Sequence, residues 1–145
     1  MTPLVSGDAS AGRGGDRTLP RVARITTTQE IRNLFRRGKR RKTRHLDVFV
    51  SASPVAHSRL GLVVAKPRAK QTARAGRIPG PAVRRNRLKR RLREIGRTEI
   101  LPRLAVRGCS ADVLIRARSE AYEASYRDLL QELIDLEDWV CSSVR

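Results

Sequence analysis

Seven of the ten residues from Arg84 to Arg93 are Lys or Arg, in the run Arg84-Arg85-Asn86-Arg87-Leu88-Lys89-Arg90-Arg91-Leu92-Arg93. Guanidinium forks hold phosphate oxygens in bidentate fashion, so the chemistry this run offers is recognition of a polyanion. On a helix that keeps Leu88, Leu92 and Ile95 in a core, Asn86, Lys89, Arg90 and Arg93 share one exposed face, and Arg87 and Arg91 flank the other side. Like charges three and four residues apart destabilise an isolated helix, so the face asks for a counter-anion, which an RNA backbone supplies. A solvated basic helix is the plain alternative. The remaining reactive residue types form no comparable group. His45 and His57 stand alone in a strand and a loop, and a nuclease using them as acid and base would need a convergent site that the sequence does not offer. Cys109 and Cys141 fit structural thiols in a reducing cytosol. No catalytic residue and no metal site is expected in the protein.

The charge balance supports the polyanion reading. The chain of 145 residues carries 32 Lys and Arg against 14 Asp and Glu, a formal net charge of +18, more than solubility requires. Seven of the acids lie between Glu120 and Asp138, leaving residues 1–118 with 30 basic residues, seven acids and a net +23. The basic surface therefore belongs to the body of the domain, and the C-terminal segment should face away from the polyanion. A membrane surface fits poorly, because aromatics are only 3% of the chain and the longest apolar run, Leu60 to Ala65, is far too short to span a bilayer. A cytoplasmic protein is expected.

The elements that position the basic run follow from periodicity. Residues 1–20 are rich in Gly, Ser, Asp and Arg and read as a disordered extension, followed by one domain over 21–145. Thr27 and Glu30 read as a capping box opening a helix with Ile31, Leu34 and Phe35, which Gly38 stops. His45 to Ser51 alternates as a strand with Leu46, Val48 and Val50 on one face, and Phe49 falls on the other. Arg59 to Lys66 alternates again, and the two strands are expected to pair as an antiparallel hairpin. Residues 67–81 read as an inserted basic loop broken by Pro and Gly, and Pro81 opens the basic helix. Asp112 to Arg118 makes a further strand. A last helix opens at Ser125 with Asp128 as partner and buries Tyr126, Leu129, Leu133, Leu136 and Val140. The order implies an α+β layer, helices packed on a small sheet.

The order of residues from Arg85 to Arg90 resembles the Arg-Asn-Arg-x-Lys-Arg signature of the bacterial ribonuclease P protein family at every specified position. The resemblance runs from about Arg24 to Val140. Gly38-Lys39-Arg40 looks like the family's exit from its opening helix, and Arg59 to Val64 like its Arg-x-Gly-x-x-Val strand. Asp112 to Arg118 looks like its later strand, and Tyr126, Leu129 and Leu133 like its closing helix. The chain departs from the pattern at Ala65-Lys66-Pro67, at about ten extra residues before the basic helix, and at Ile95-Gly96-Arg97, where the family's Phe is missing.

The resemblance implies a small α/β sandwich related to a ribosomal-protein domain, with a mixed sheet of about four strands and a left-handed βαβ crossover. It implies docking on ribonuclease P RNA, one protein to one RNA, through Arg84, Arg85, Asn86, Arg87, Lys89, Arg90, Arg91, Arg93 and Lys66. It also implies a cleft for the 5′ leader of precursor tRNA, lined by Ile31, Phe35, Phe49 and Arg59, with Mg²⁺ held by the RNA and the substrate. From the residues themselves, Phe49 reads equally as a stacking platform for an unpaired base or as packing against the first helix, and Phe35 reads more readily as core.

Overall fold

The computed structural model describes residues 19–65, 67 and 80–144; the extension read over 1–20 lies outside them except for its last two residues, of which Leu19 is buried in the core. A short 3₁₀ turn at Arg21–Ala23 leads to Ile25, whose N–H donates to the Leu60 carbonyl at 2.9 Å. Helix α1 spans Thr28–Arg37. Thr27 caps it by accepting from the Glu30 N–H at 3.3 Å, while Glu30 accepts from the Thr27 hydroxyl instead of returning to the backbone. Gly38 does end α1, but at φ −69° in extended backbone, so the left-handed turn that favours glycine plays no part. What excludes a side chain there is space, since a Cβ would lie 2.6 Å from the Leu34 carbonyl oxygen.

Among the described residues four strands form one sheet in the order β1-β2-β4-β3: β1 Lys39–Lys42, β2 Leu46–Ala52, β3 Arg59–Val64 and β4 Ala111–Ala117. The expected hairpin between Leu46–Ala52 and Arg59–Val64 does not form. Strand β4 inserts between them, antiparallel to β2 and parallel to β3. The hairpin that does form joins β1 to β2, with Lys39 opposite Val50 and Lys42 opposite Asp47. A run of four cations has no apolar alternation to announce a strand.

Helix α2, Pro81–Ile95, begins the crossover from β3 to β4. It does not stop at Gly96 but runs through a π turn, Gly96–Ile100, into α3, Leu101–Val106. Gly96 is close-packed, because a Cβ would meet Leu60 Cδ2 at 2.3 Å. After β4 come a 3₁₀ turn at Ser119–Glu123, α4 at Tyr126–Asp135 and α5 at Glu137–Ser143. Ser125 and Asp128 make the reciprocal capping box of α4 in full. Leu129, Leu133, Leu136 and Val140 are buried as expected, whereas Tyr126 is 40% exposed. It occupies the first helical position, ahead of the turn whose apolar stripe meets the sheet.

The sheet is covered on both faces. One carries the main core, with Leu46, Val48, Val50, Val113 and Ile115 against Leu88, Leu92, Ile95, Leu104, Leu129 and Leu133. The other carries a smaller core of Ile25, Leu34, Phe49 and Leu114, with Ile31, Phe35 and Val63 at its margin. This is why β2 is buried on both sides down to Val50 instead of alternating with solvent.

Candidate nucleic-acid interface

Helix α2 is positioned by its apolar stripe, Leu88, Leu92 and Ile95, each at most 3% exposed. Burying three such side chains contributes about 1.5–3 kcal/mol each, enough to hold a helix whose charges oppose it. Gly80 caps it without a side-chain hydrogen bond, Pro81 takes the first turn, and no acid stands there to complement the helix dipole. Arg84 and Arg85 instead put positive charge near the positive end of the helix, which raises the local affinity for an anion.

The cations leave the helix in three directions. Lys89 and Arg93 line a groove with Arg24, over a floor that includes Ile25, Ile31 and Leu60. On the opposite flank Arg84, Arg87 and Arg91 line a second groove against Ala121 and Tyr122. Asn86 and Arg90 stand exposed. The Arg84 guanidinium lies 5.3 Å from the Tyr122 ring centroid, within cation–π range. Burial pushes the Tyr122 phenol up against the opposing pull of Arg85 and Arg84, which keeps it a neutral donor, and its hydroxyl donates to the Ala65 carbonyl. Arg91 reaches the Ala124 carbonyl at 3.5 Å. The Arg85 Nε is buried with no hydrogen-bond partner among the described residues. Tyr122 escaped the sequence reading because it belongs to a short turn without periodicity. Lys66 and nearly all of the 67–81 loop lie outside the described residues.

The four residues expected to line a leader cleft do converge on the α1 face of the sheet, but in unequal states. Ile31 and Phe35 are half-buried at its margin. Phe49 is only 4% exposed: the Phe35 ring meets it edge to face at 4.8 Å and 81°, and the Arg40 guanidinium lies 5.6 Å from its centroid. Packing is thus the role Phe49 has, and it offers no open face for a base. Phe35 is the accessible ring, with the exposed Arg116 of β4 5.8 Å from its centroid. Arg116 was missed although the alternation of Asp112, Leu114 and Arg116 places it on this face.

Arg59 is not a free cation. Its Nε and Nη2 donate to the two Asp112 carboxylate oxygens at 2.9 and 2.7 Å, and Nη2 also donates to Glu30 at 2.9 Å, in a site where Arg59 is 13% exposed. The hydrogen bonds to Asp112 hold its pKa above the ordinary guanidinium value, with those to Glu30 adding to the effect against the cost of burial. The Arg59 hydrogen bond in turn holds Glu30 below the usual carboxylate range, helped by Thr27. Arg40 does the same for Asp47 through a two-pronged contact at 2.7 Å on each oxygen.

No three His, Cys, Asp or Glu side chains among the described residues converge on a common point. Asp112 and Glu30 serve Arg59, Asp47 serves Arg40, and Glu137 and Asp138 serve Arg107. The two histidines are held by different elements. His45 pairs through Nδ1 with Glu132, and the His57 ring contacts the Val22 carbonyl at 2.8 Å. No helix among the described residues is long and apolar enough to cross a membrane.

A family model described as Ribonuclease P matches residues 19–138. The ribonuclease P protein component of Syntrophobacter fumaroxidans is 32% identical over 122 residues, covering 84% of this chain and 90% of that protein. That of Thermus scotoductus is 39% identical over 100 residues, covering 69% of this chain but 49% of the longer relative. Among solved structures, the RNase P protein from Thermotoga maritima superposes with a TM-score of 0.59 at 23% identity, over 81% of this chain and 96% of that one. The RNase P protein of Staphylococcus aureus gives 0.56 at 20%, over 85% and 98%. These likenesses establish the α+β fold.

Proposed function

This chain belongs to the ribonuclease P protein family, and from that premise we propose that it docks on ribonuclease P RNA through α2 and helps that RNA remove the 5′ leader of precursor tRNA. The observation that carries the docking role is the division of α2: three apolar residues fasten it to the core while six of the seven cations in ten residues are presented outward or into two flanking grooves, with Arg85 half-buried beside them. Arg85, Arg87 and Arg90 neutralise phosphates, and the Tyr122 groove adds an aromatic wall beside Arg84. The leader lies on the α1 face, where Phe35 and Arg116 offer an aromatic surface beside a cation, and Ile31 extends its apolar margin. Phe49 and Arg59 act beneath this surface, Phe49 by holding Phe35 and Arg59 by fixing α1 to β4 through Glu30 and Asp112.

Cleavage itself would be hydrolysis of one phosphodiester, and Mg²⁺, which the RNA and the substrate would hold, would supply the activation of water for it. The protein's part is to position the leader and screen charge, so no step is assigned to a protein side chain. The setting is the cytoplasm, with one protein per RNA.

The deciding experiment is reconstitution with bacterial ribonuclease P RNA, scored for cleavage of precursor tRNA at low Mg²⁺. Cleavage should be restored by the intact chain and depend on the leader. Equal affinity for precursor and mature tRNA in the presence of the RNA would indicate a structural RNA-binding module instead. Replacing Arg85, Arg87 and Arg90 with Ala should reduce the slope of log affinity against log salt by about one unit for each phosphate no longer neutralised. An unchanged slope removes α2 as the docking face.

A further inference from the structure

The segment from Arg36 to Arg44 has seven basic residues in nine, a density matching that of α2, and nothing in the docking or leader roles uses most of it. We propose that this outer edge of the sheet is a second RNA contact, one that grips a double-helical RNA element by its phosphates. The proposal rests on the reading of the chain as an RNA-docking subunit and adds to it a separate surface for a different RNA shape.

The placement comes from the sheet order. Strand β1 is at one end, its outer edge unpaired among the described residues, while α2 packs against β3 at the other end. The two basic surfaces therefore lie at opposite edges of the molecule. All four β1 residues are exposed. Arg40 is bound to Asp47, but among the described residues none of Arg36, Arg37, Lys39, Arg41, Lys42 and Arg44 makes an ion pair.

Register determines the shape of the surface. Arg40 and Lys42 stand opposite Phe49 and Asp47, and so on the α1 face. Lys39 and Arg41 stand opposite Val50 and Val48, on the other face, where the Arg41 guanidinium lies 5.7 Å from the Trp139 ring centroid. Cations thus flank the edge on both sides, with same-face neighbours about 6.6–6.8 Å apart, where like charges repel. Lysines on an edge strand also deter strand pairing, yet one or two charges suffice for that. The repulsion of the full set is offset by an external polyanion.

Of the β1 cations, a single strand lying across the α1 face would meet only Arg40, already held by Asp47, and Lys42. A ridge charged on both flanks instead matches a groove bordered by phosphates on both sides. The wide, shallow minor groove of A-form RNA is recognised in this way, by shape and backbone.

The test uses the full chain, an RNA hairpin of about 16 base pairs and an unpaired RNA of equal length. The triple variant Lys39→Gln, Lys42→Gln, Arg44→Gln spares Arg40 and Arg41, which hold Asp47 and Trp139. A thermal melt matching that of the unmodified chain establishes that it folds, and a Lys39→Arg, Lys42→Arg variant, which keeps the charge, should bind normally. On the hairpin, the salt slope of the Gln variant should fall by about two to three units and affinity by about tenfold or more, with a much smaller change on the unpaired RNA. An unchanged hairpin slope overturns the proposal, as does an equal loss on both RNAs, which would mean undirected charge. The Ala variant at Arg85, Arg87 and Arg90 is measured alongside. If it loses catalytic-RNA binding while the edge variant behaves as the intact chain, the docking assignment stands and only the edge site fails.

Discussion

Arg59 shows how a residue's type and its role can part. Its sequence position suggested a cation facing the leader, but its fork is taken up by Asp112 and Glu30. Arg59→Ala should therefore act first on stability: it leaves the buried Asp112 carboxylate unpaired, at a cost of about 3–5 kcal/mol in denaturant unfolding. Arg59→Lys should recover little, since an ammonium cannot make the two-pronged contact. A stable Arg59→Ala protein that loses only leader affinity would reverse this assignment. The carboxylates carry a pH dependence of definite sign. Glu30 and Asp47 titrate lower in the folded chain than in the unfolded one, so the stability they add is present above their ordinary values, about 4.3 and 3.9, and is lost as pH falls through the folded ones. Unfolding midpoints should thus drop below about pH 4, and Asp47→Asn should flatten that limb while lowering stability at neutral pH. A limb as steep as in the unmodified chain would show that Asp47 does not contribute.

Within the elements, close contacts matter more than propensities. Gly38 reads as a helix stop in the sequence, yet its backbone is ordinary, and what it provides is clearance beneath the Leu34 and Val50 carbonyls. Gly38→Ala should cost about 1–3 kcal/mol by overpacking, read from the denaturant midpoint, and should loosen the junction of α1 with β1. A neutral or stabilising effect would contradict that packing. The capping box of α4 was legible because both partners are local, and Ser125→Ala should cost about 1 kcal/mol. The β2–β3 hairpin was misread for the complementary reason. Alternation identifies a strand but not its neighbour, and β4, about fifty residues further along, supplies the hydrogen bonds for both.

On the scale of the whole molecule, a net charge of +18 opposes folding and favours RNA. Raising salt from about 50 to 200 mM should therefore raise the melting temperature while weakening RNA affinity. A melting temperature that falls over the same range would mean that internal ion pairs outweigh the net repulsion. Much of this protein was determined by sequence alone: the polyanion preference, the apolar stripe of α2, the family resemblance centred on Arg85 to Arg90, and the existence of six of the regular elements. These depend on composition and on contacts within a few residues, which a linear pattern records. Only the tertiary structure decided that β4 parts β2 from β3, that Phe49 is sealed while Phe35 and Arg116 are open, that Arg59 is spent on Asp112, and that β1 forms a charged edge remote from α2. Each of these depends on which distant residue arrives as a neighbour, and burial, pairing and free charge are properties of that neighbour as much as of the residue itself.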